Sequence, residues 1–392
     1  MTSDRDRRGG ACDELVRSLL VSGDLDAAWA ESFRAVPRSL FLPDLFWTHD
    51  MATGRNAAVD REDVDAWERA ACSNIPLVTQ WDDGRHSGTA PGAVPTSSSS
   101  MPSVVAAMLR DLDVREGTRV LEVGTGTGWN AALLAHRLGA SNVVSVEIDG
   151  AVVESARTAL KAAGLDAEVV HADGRDGWAP GAPYDRVVVT AGVREFSPHW
   201  LRQARPGGVV LAPWGTHYSD QDALVRLTVA EDGHARGPFL RMVEFMKLRA
   251  QRLDWNRFRE YVPSFPGDAD VSAGSLALAD LGDRYRAARF VAGLGVPDCA
   301  HVVNPTGDGT GRVWFFDLAS RSWAAAEFRE PGAPALVYQS GPRRLWAEVE
   351  RVLTWWAEVG RPGVDRFGLT VAPDGATHAW LDDPATGPLA FG

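Results

Sequence analysis

The stretch Leu121-Glu-Val-Gly-Thr-Gly-Thr-Gly-Trp-Asn130 decides how the rest of the chain is read. Apolar TRVLEV before it predicts a buried strand, and WNAALLAHRL after it predicts a helix. Gly124, Gly126 and Gly128 lie between the two, with Thr125 and Thr127 interleaved. Glycine at such a turn permits a tight reversal and lets a ligand approach the backbone closely. A dinucleotide fingerprint needs a further glycine at position 129, which is Trp129 here.

Beyond this turn and its helix the chain alternates strands and helices: NVVSVEID, AVVESARTALKAAG, AEVVHADG, YDRVVVTAG, a helix through HWLRQARPGG, then VVLAPWG. This alternation predicts an α/β fold, a doubly wound, mainly parallel Rossmann-like sheet covered on both faces. ALVRLTVAEDG and VEFMKLR, joined by short turns, predict an antiparallel edge. Glu147 ends the second strand and Asp173-Gly174 ends the third. An acid at the first position can accept ribose hydroxyls, and one at the second can meet an adenine amino group. Each feature alone could be an ordinary turn or strand end. Three at the carboxyl ends of successive strands mark the ligand crevice of an open α/β sheet. With Glu122 two residues before Gly124, they predict an S-adenosylmethionine (SAM) methyltransferase fold. The cofactor set is Glu122, Gly124, Thr125, Gly126, Thr127, Gly128, Glu147, Ile148, Asp173 and Gly174.

The bulk properties bound the partners. A chain of 392 residues with 45% apolar content supports two cores, and a net charge of −12 argues against nucleic acid or an anionic membrane. No apolar run reaches transmembrane length. Cys12, Cys72 and Cys299 are odd in number and scattered, so they read as free thiols of a reducing, cytoplasmic compartment. They are not at metal-ligand spacing. Residues 1–10 read as disordered, residues 13–42 as helical, and residues 45–70 show no clear period. Three segments follow: 1–95 (helical, with a long candidate lid loop), 96–250 (the SAM-binding core) and 251–392 (a smaller α+β extension, assigned to peptide recognition). In the extension, RVWFFDL and ALVYQS read as strands, RRLWAEVERVLTWWAEVG as an amphipathic helix, and FGLTVAPDGATHAWLDD as a hairpin.

The lid loop ends in VPTSSSSMPSVVAAML, where four serines feed a helix opened by Pro102. A solvated linker is the plain reading. Serines beside a helix N-terminus also offer donors to a carboxylate.

AVPRSLFLP, this serine run, VLEVGTGTGWNAALLA, VVSVEID, HADGRDGW, YDRVVVTAG and RPGGVVLAPWG occur in an order that resembles the protein-L-isoaspartate O-methyltransferases, over roughly residues 30–250. The resemblance implies methyl transfer from SAM to a peptide carboxylate, leaving S-adenosylhomocysteine. The ester is then attacked by the following backbone amide to give a succinimide. The family's Thr-Ile-Ser segment falls on Ser98, Ser99 and Ser100, which makes Ser100, aided by Ser99, the residue that orients the acceptor. A polar Ser99 at the isoleucine position implies an altered acceptor wall. The tail is similar to that of long actinobacterial peptide methyltransferases. That similarity implies an L-aspartate of a ribosomally made precursor peptide (lanthipeptide, lasso peptide or graspetide) as substrate, going on to aspartimide or isoaspartate. Repair of L-isoaspartyl protein is the alternative, and a non-catalytic peptide-binding subunit is a rival of another class. A carboxylate is ionised at neutral pH, so no general base is required. Substrate contacts are expected from Ser98, from Val243 and Phe245 on a strand open to an extended peptide, and from Trp355. Trp355 falls off the apolar helix face that Trp346 and Trp356 share. Seven of the 15 tryptophans lie after residue 250.

Overall fold

The computed structural model describes residues 4–253, 258–306 and 308–391. It divides into two compact units, one of residues 1–190, 197–211 and 228–233 and one of residues 191–196, 212–227 and 234–392. The first begins with helices α1 (Asp4–Val21) and α2 (Ala27–Ala35). Residues 4–10, expected to be disordered, form the first turns of α1. Residues 1–3 and Trp255 lie outside the described residues.

Residues 45–99 fold into a four-stranded antiparallel sheet. Its strands are β1 (Leu45–His49), β2 (Asn56–Asp60), β3 (Leu77–Trp81) and β4 (Pro95–Ser99), in the order β2-β1-β3-β4, with α3 (Val64–Ala71) inserted. Phe46, Trp67, Ala71 and Leu77 form its core. The serine run is therefore part of a strand. Serine is a poor strand former, but the backbone of Ser97–Ser99 pairs with β3, where Ser98 lies opposite Val78 and Ser99 opposite Leu77.

The parallel sheet follows: β5 (Val120–Val123), β6 (Val143–Glu147), β7 (Glu168–His171), β8 (Tyr184–Val189) and β9 (Ala204–Trp214), in the order β9-β8-β5-β6-β7. Val120, Leu121, Val123, Val187 and Val189 are fully buried, as strands covered on both faces require. Helices α4 (Pro102–Leu112), α5 (Trp129–Leu138), α6 (Gly150–Ala162) and α7 (Pro198–Gln203) flank these strands in sequence. The helix expected through Gly208 stops at Gln203, because Pro206 and Gly207 cannot continue it and β9 begins at Ala204. After β7 the chain returns to the other side of β5, so the switch point lies between β5 and β8.

The second unit holds strands β10 (Asp222–Val229), β11 (Ala235–Val243), β12 (Asp270–Ala273), β13 (Cys299–Pro305), β14 (Gly311–Asp317), β15 (Trp323–Phe328), β16 (Leu336–Ser340), β17 (Phe367–Val371) and β18 (Thr377–Leu381). Within this unit they follow the orders β18-β17-β11-β10 and β12-β16-β15-β14-β13. The helix Leu345–Glu358 buries Leu345, Trp346, Val349, Val352 and Leu353. The hairpin expected around Pro373-Asp374-Gly375 is β17 with β18.

Two expectations are corrected. Cys12 and Cys72 are not free: they form a disulfide, S–S 2.05 Å, joining α1 to the end of α3. An odd count conceals a pair when the third cysteine, Cys299, is buried apart from it. VEFMKLR is not an open strand either. The strand ends at Val243, and β11 lies between β10 and β17 in the sheet order, so residues 244–249 are not an edge strand open to a peptide backbone. Beyond it, the Met246 carbonyl and Leu248 amide are hydrogen-bonded to Gly192.

Candidate active site

β5 delivers the chain to the glycine loop at the switch point. Gly124 has φ +98°, and a Cβ there would lie 2.7 Å from Thr190 Oγ1 at the end of β8. Gly126 has φ +52°, and a Cβ there would stand 3.3 Å from the Ser98 carbonyl oxygen. The first marks the close approach of loop and neighbouring strand, where the Thr190 hydroxyl donates to the Gly124 carbonyl, and the second marks the approach of the serine strand to the loop. Gly128 caps α5.

Two acids shape this loop differently. Glu147, at the end of β6, accepts the Gly126 amide through Oε2 at 3.0 Å. Its Oε1 accepts the amides of Ile148 at 3.0 Å and Asp149 at 3.1 Å. Ile148 is exposed beside it. Glu122 is fully buried beneath the loop, where it accepts Asn130 Nδ2 at 2.6 Å and the Ser145 hydroxyl. Burial pushes its carboxyl up to about 7, against the lowering effect of the Ser145 and Asn130 bonds. Ser145 also pairs with Thr125 Oγ1 at 2.6 Å, and Thr125 is buried with it. Glu122 and Thr125 therefore support the loop from below and do not present themselves to a ligand, whereas Thr127 is half-buried.

Asp173 caps the short turn after β7 and is bound by Arg175, whose guanidinium donates to Oδ2 at 2.8 and 3.1 Å. Those bonds hold its carboxyl below the usual range. Gly174 is buried, and a Cβ there would meet Val123 at 2.6 Å. The glycine amides of the loop are taken within the fold, Gly124 by the Val146 carbonyl, Gly126 by Glu147 and Gly128 by the Thr125 carbonyl; a glycine loop at a helix N-terminus, with an acid on the next strand, fits the adenosyl and amino-acid parts of SAM.

The serines divide by the alternation of a strand. Ser99 is buried and turned onto Arg38, whose Nε donates to Ser99 Oγ at 2.8 Å. Its polarity therefore satisfies an internal partner and does not line an acceptor wall, which corrects the expectation for that residue. Ser98 and Ser100 are half-buried, and neither hydroxyl has a hydrogen-bond partner among the described residues. The Ser103 amide, at the start of α4, is taken by Asn74 Oδ1 at 2.9 Å. Gln80 Nε2 donates to Asp149 at 3.2 Å, which ties β3 to the start of α6.

Val243, Phe245 and Trp355 fall in the second unit. Val243 is buried and Phe245 half-buried. Trp355 is half-buried, with Phe391 packed edge-on against it at 4.8 Å. Trp314, Trp323 and Trp346 are core residues, so most of the tail's aromatic wealth is spent on packing. Sequence reasoning missed Arg38, Gln80 and Thr190. Arg38 alone had a visible signal, as the charged residue within AVPRSLFLP.

Residues 49–252 match the model of the protein-L-isoaspartate(D-aspartate) O-methyltransferase family. The chain belongs to that family. Among curated members it is similar to a protein-L-isoaspartate O-methyltransferase of Pyrococcus horikoshii, with 41% identity over 135 residues, 34% of this chain and 60% of the relative. It is also similar to protein-L-isoaspartate O-methyltransferase 2 of Archaeoglobus fulgidus, with 38% identity over 39% of this chain and 69% of the relative. The chain thus spans about three fifths of the length of the first of these relatives. A solved structure bearing the same family name aligns with 95% of this chain and all of its own, at TM-score 0.54 and 22% identity. At that identity the likeness shows the fold alone, but the fold it shows takes in the C-terminal extension. No helix among the described residues is long and apolar enough to cross a membrane.

Proposed function

We propose that the protein transfers the methyl group of SAM to the carboxylate of an L-isoaspartyl residue in a peptide or protein, as in repair. Family membership supports the reaction class. The observation that carries the assignment to this site is the contact between the serine strand and the glycine loop, with the Ser98 carbonyl 3.3 Å from where a Gly126 Cβ would sit. That approach supports reading the serine strand as the acceptor half of the site and the glycine loop as the cofactor half.

When bound, SAM supplies an electrophilic methyl on a sulfonium. The chain binds and aligns. Glu147 has filled three of roughly four acceptor positions with amides, so its Oε2 keeps one for a ribose hydroxyl. Ile148 offers an apolar face to the adenine, and the glycine loop receives the rest of the molecule. Ser100, with Ser98, donates to one oxygen of the acceptor carboxylate and leaves the other directed at the methyl. Alignment of this kind supplies much of the rate of such a displacement.

Methylation of L-aspartate in a modified precursor peptide is the second reading. It rested on Ser99 as a pocket wall and on the tail. Ser99 faces Arg38, and the family to which the chain belongs is named for L-isoaspartate, so repair is favoured. The test is methyl incorporation from labelled SAM into twin peptides differing only in L-isoaspartyl or L-aspartyl linkage. Repair predicts the isoaspartyl twin to react at least about 100-fold faster, near 2.7 kcal/mol of discrimination. The reverse order would establish the precursor-peptide reading. SAM binding without transfer to either twin would leave the non-catalytic one.

A further inference from the structure

Arg38 is a buried cation to which the proposed reaction gives no part. It follows Pro37 in the turn after α2, is 2% exposed, and has no acidic partner among the described residues. Its acceptors are neutral: Ser99 Oγ at 2.8 Å, the Ser99 carbonyl at 2.6 Å, and the carbonyls of Ile75 at 3.0 Å and Ser73 at 3.3 Å. Its guanidinium carbon lies 5.8 Å from the ring centroid of Trp129, the first residue of α5. Trp129 in turn donates from Nε1 to the Val36 carbonyl at 2.9 Å. Burial alone lowers the guanidinium to about 9. Leaving a charge in such a place costs several kcal/mol unless its donors are filled. A residue with that cost is ill suited to mere filling. What its planar fork can do, and an apolar side chain cannot, is grip both the backbone and the side chain of Ser99 at once.

We propose that Arg38 is a positioning residue that braces the acceptor strand against the cofactor helix and so sets where Ser100 stands relative to the glycine loop. The proposal rests on the reading of Ser100 as the group that orients the acceptor. On one side of Arg38 are Ser99 and, through it, Ser100. On the other is Trp129, the residue after Gly128. Its contacts with Ser73 and Ile75 fix the segment that leads into β3, the partner of β4. Arg38 touches neither ligand in this scheme and acts through Ser99.

The test uses Arg38→Met, which removes the fork, and Arg38→Lys, which keeps charge and length and protects the experiment if the first variant fails to fold. Hydrogen exchange is measured across residues 95–101 and 120–138 in the full chain. Exchange should quicken in the serine strand of Arg38→Lys and stay protected in β5 and α5. Equal protection everywhere in the variant would overturn the proposal. With the isoaspartyl peptide as substrate, kcat of Arg38→Lys should fall about tenfold while SAM affinity stays within about threefold. In a Ser100→Ala background, the same change should cost less than about twofold, because the residue through which it acts is gone. A full additive loss in that background, or a parallel loss of SAM affinity, would show a structural role only. If the wild-type enzyme methylates neither twin peptide, the functional reading fails. The exchange data then still decide for or against the brace.

Discussion

Replacing Glu147 with Gln isolates what the acid on β6 contributes. The substitution keeps the shape but converts one of two acceptor oxygens into a donor. In the wild type, one oxygen faces the Gly126 amide and the other faces the amides of Ile148 and Asp149. Whichever way the new amide group turns, at least one backbone N–H meets another N–H. The less costly orientation keeps Ile148 and Asp149 and sacrifices Gly126. A hydrogen bond to a charged acceptor is worth about 1.5–3 kcal/mol, and Gly126 is the centre of the loop that must receive SAM. The same rotation takes away the free position on Oε2 that is assigned to the ribose. Calorimetry should therefore show SAM affinity weakened roughly 10- to 150-fold, with about 1.4 kcal/mol for each factor of ten. A cooperative melt would confirm that the variant is folded. SAM affinity within about twofold of wild type in that folded variant would refute both the clamp and the ribose assignment.

The buried Glu122 gives a pH-dependent expectation. Its carboxyl is raised from an ordinary 4.5 to about 7, so between those values the folded chain holds a proton that the unfolded chain has lost. Wild-type stability relative to Glu122→Gln should fall as pH rises through that window and level off above it, by about 3 kcal/mol at most. Denaturant melts of both proteins at pH 4.5 to 8 measure this, and parallel curves would contradict it. The Cys12–Cys72 disulfide closes a loop of 60 residues. Chain entropy predicts that reduction costs about 4 kcal/mol. A reductant should lower the melting temperature of the wild type and leave Cys72→Ser unmoved, whereas an equal response in both would show the thiols to be free.

How far the sequence could be read follows from the range of the interactions involved. The parallel sheet was legible because its strands are continuous apolar runs and its glycine turn is local. The β17–β18 hairpin was legible for the same reason, since Pro373-Asp374-Gly375 states its turn within three residues. The β1–β2 hairpin was not, because Leu45–Asp60 has two short strands without a clear alternation and holds its shape by pairing with β3. The serine run defeated composition outright: Ser97–Ser99 are strand because of where β3 lies. At the candidate site, Gly126 and Glu147 could be named from spacing. Their mutual hydrogen bond, and the approach of Ser98 to Gly126, could not. In sequence Ser99 reads as a pocket residue, whereas in the fold Arg38, 61 positions away, claims it. Arg38 itself draws on Ser73, Ile75 and Ser99, a set of acceptors that only the folded chain assembles.

In the proposed complex the acceptor carboxylate sits on the face shared by Ser98 and Ser100, beside a nucleoside held by Glu147. A crystal structure with S-adenosylhomocysteine and an L-isoaspartyl peptide tests it most directly. The isoaspartyl carboxylate is expected within hydrogen-bonding reach of Ser100 Oγ, at about 2.5–3.0 Å, with a ribose hydroxyl on Glu147. A carboxylate bound elsewhere, with the Ser98 and Ser100 hydroxyls left to solvent, would contradict it.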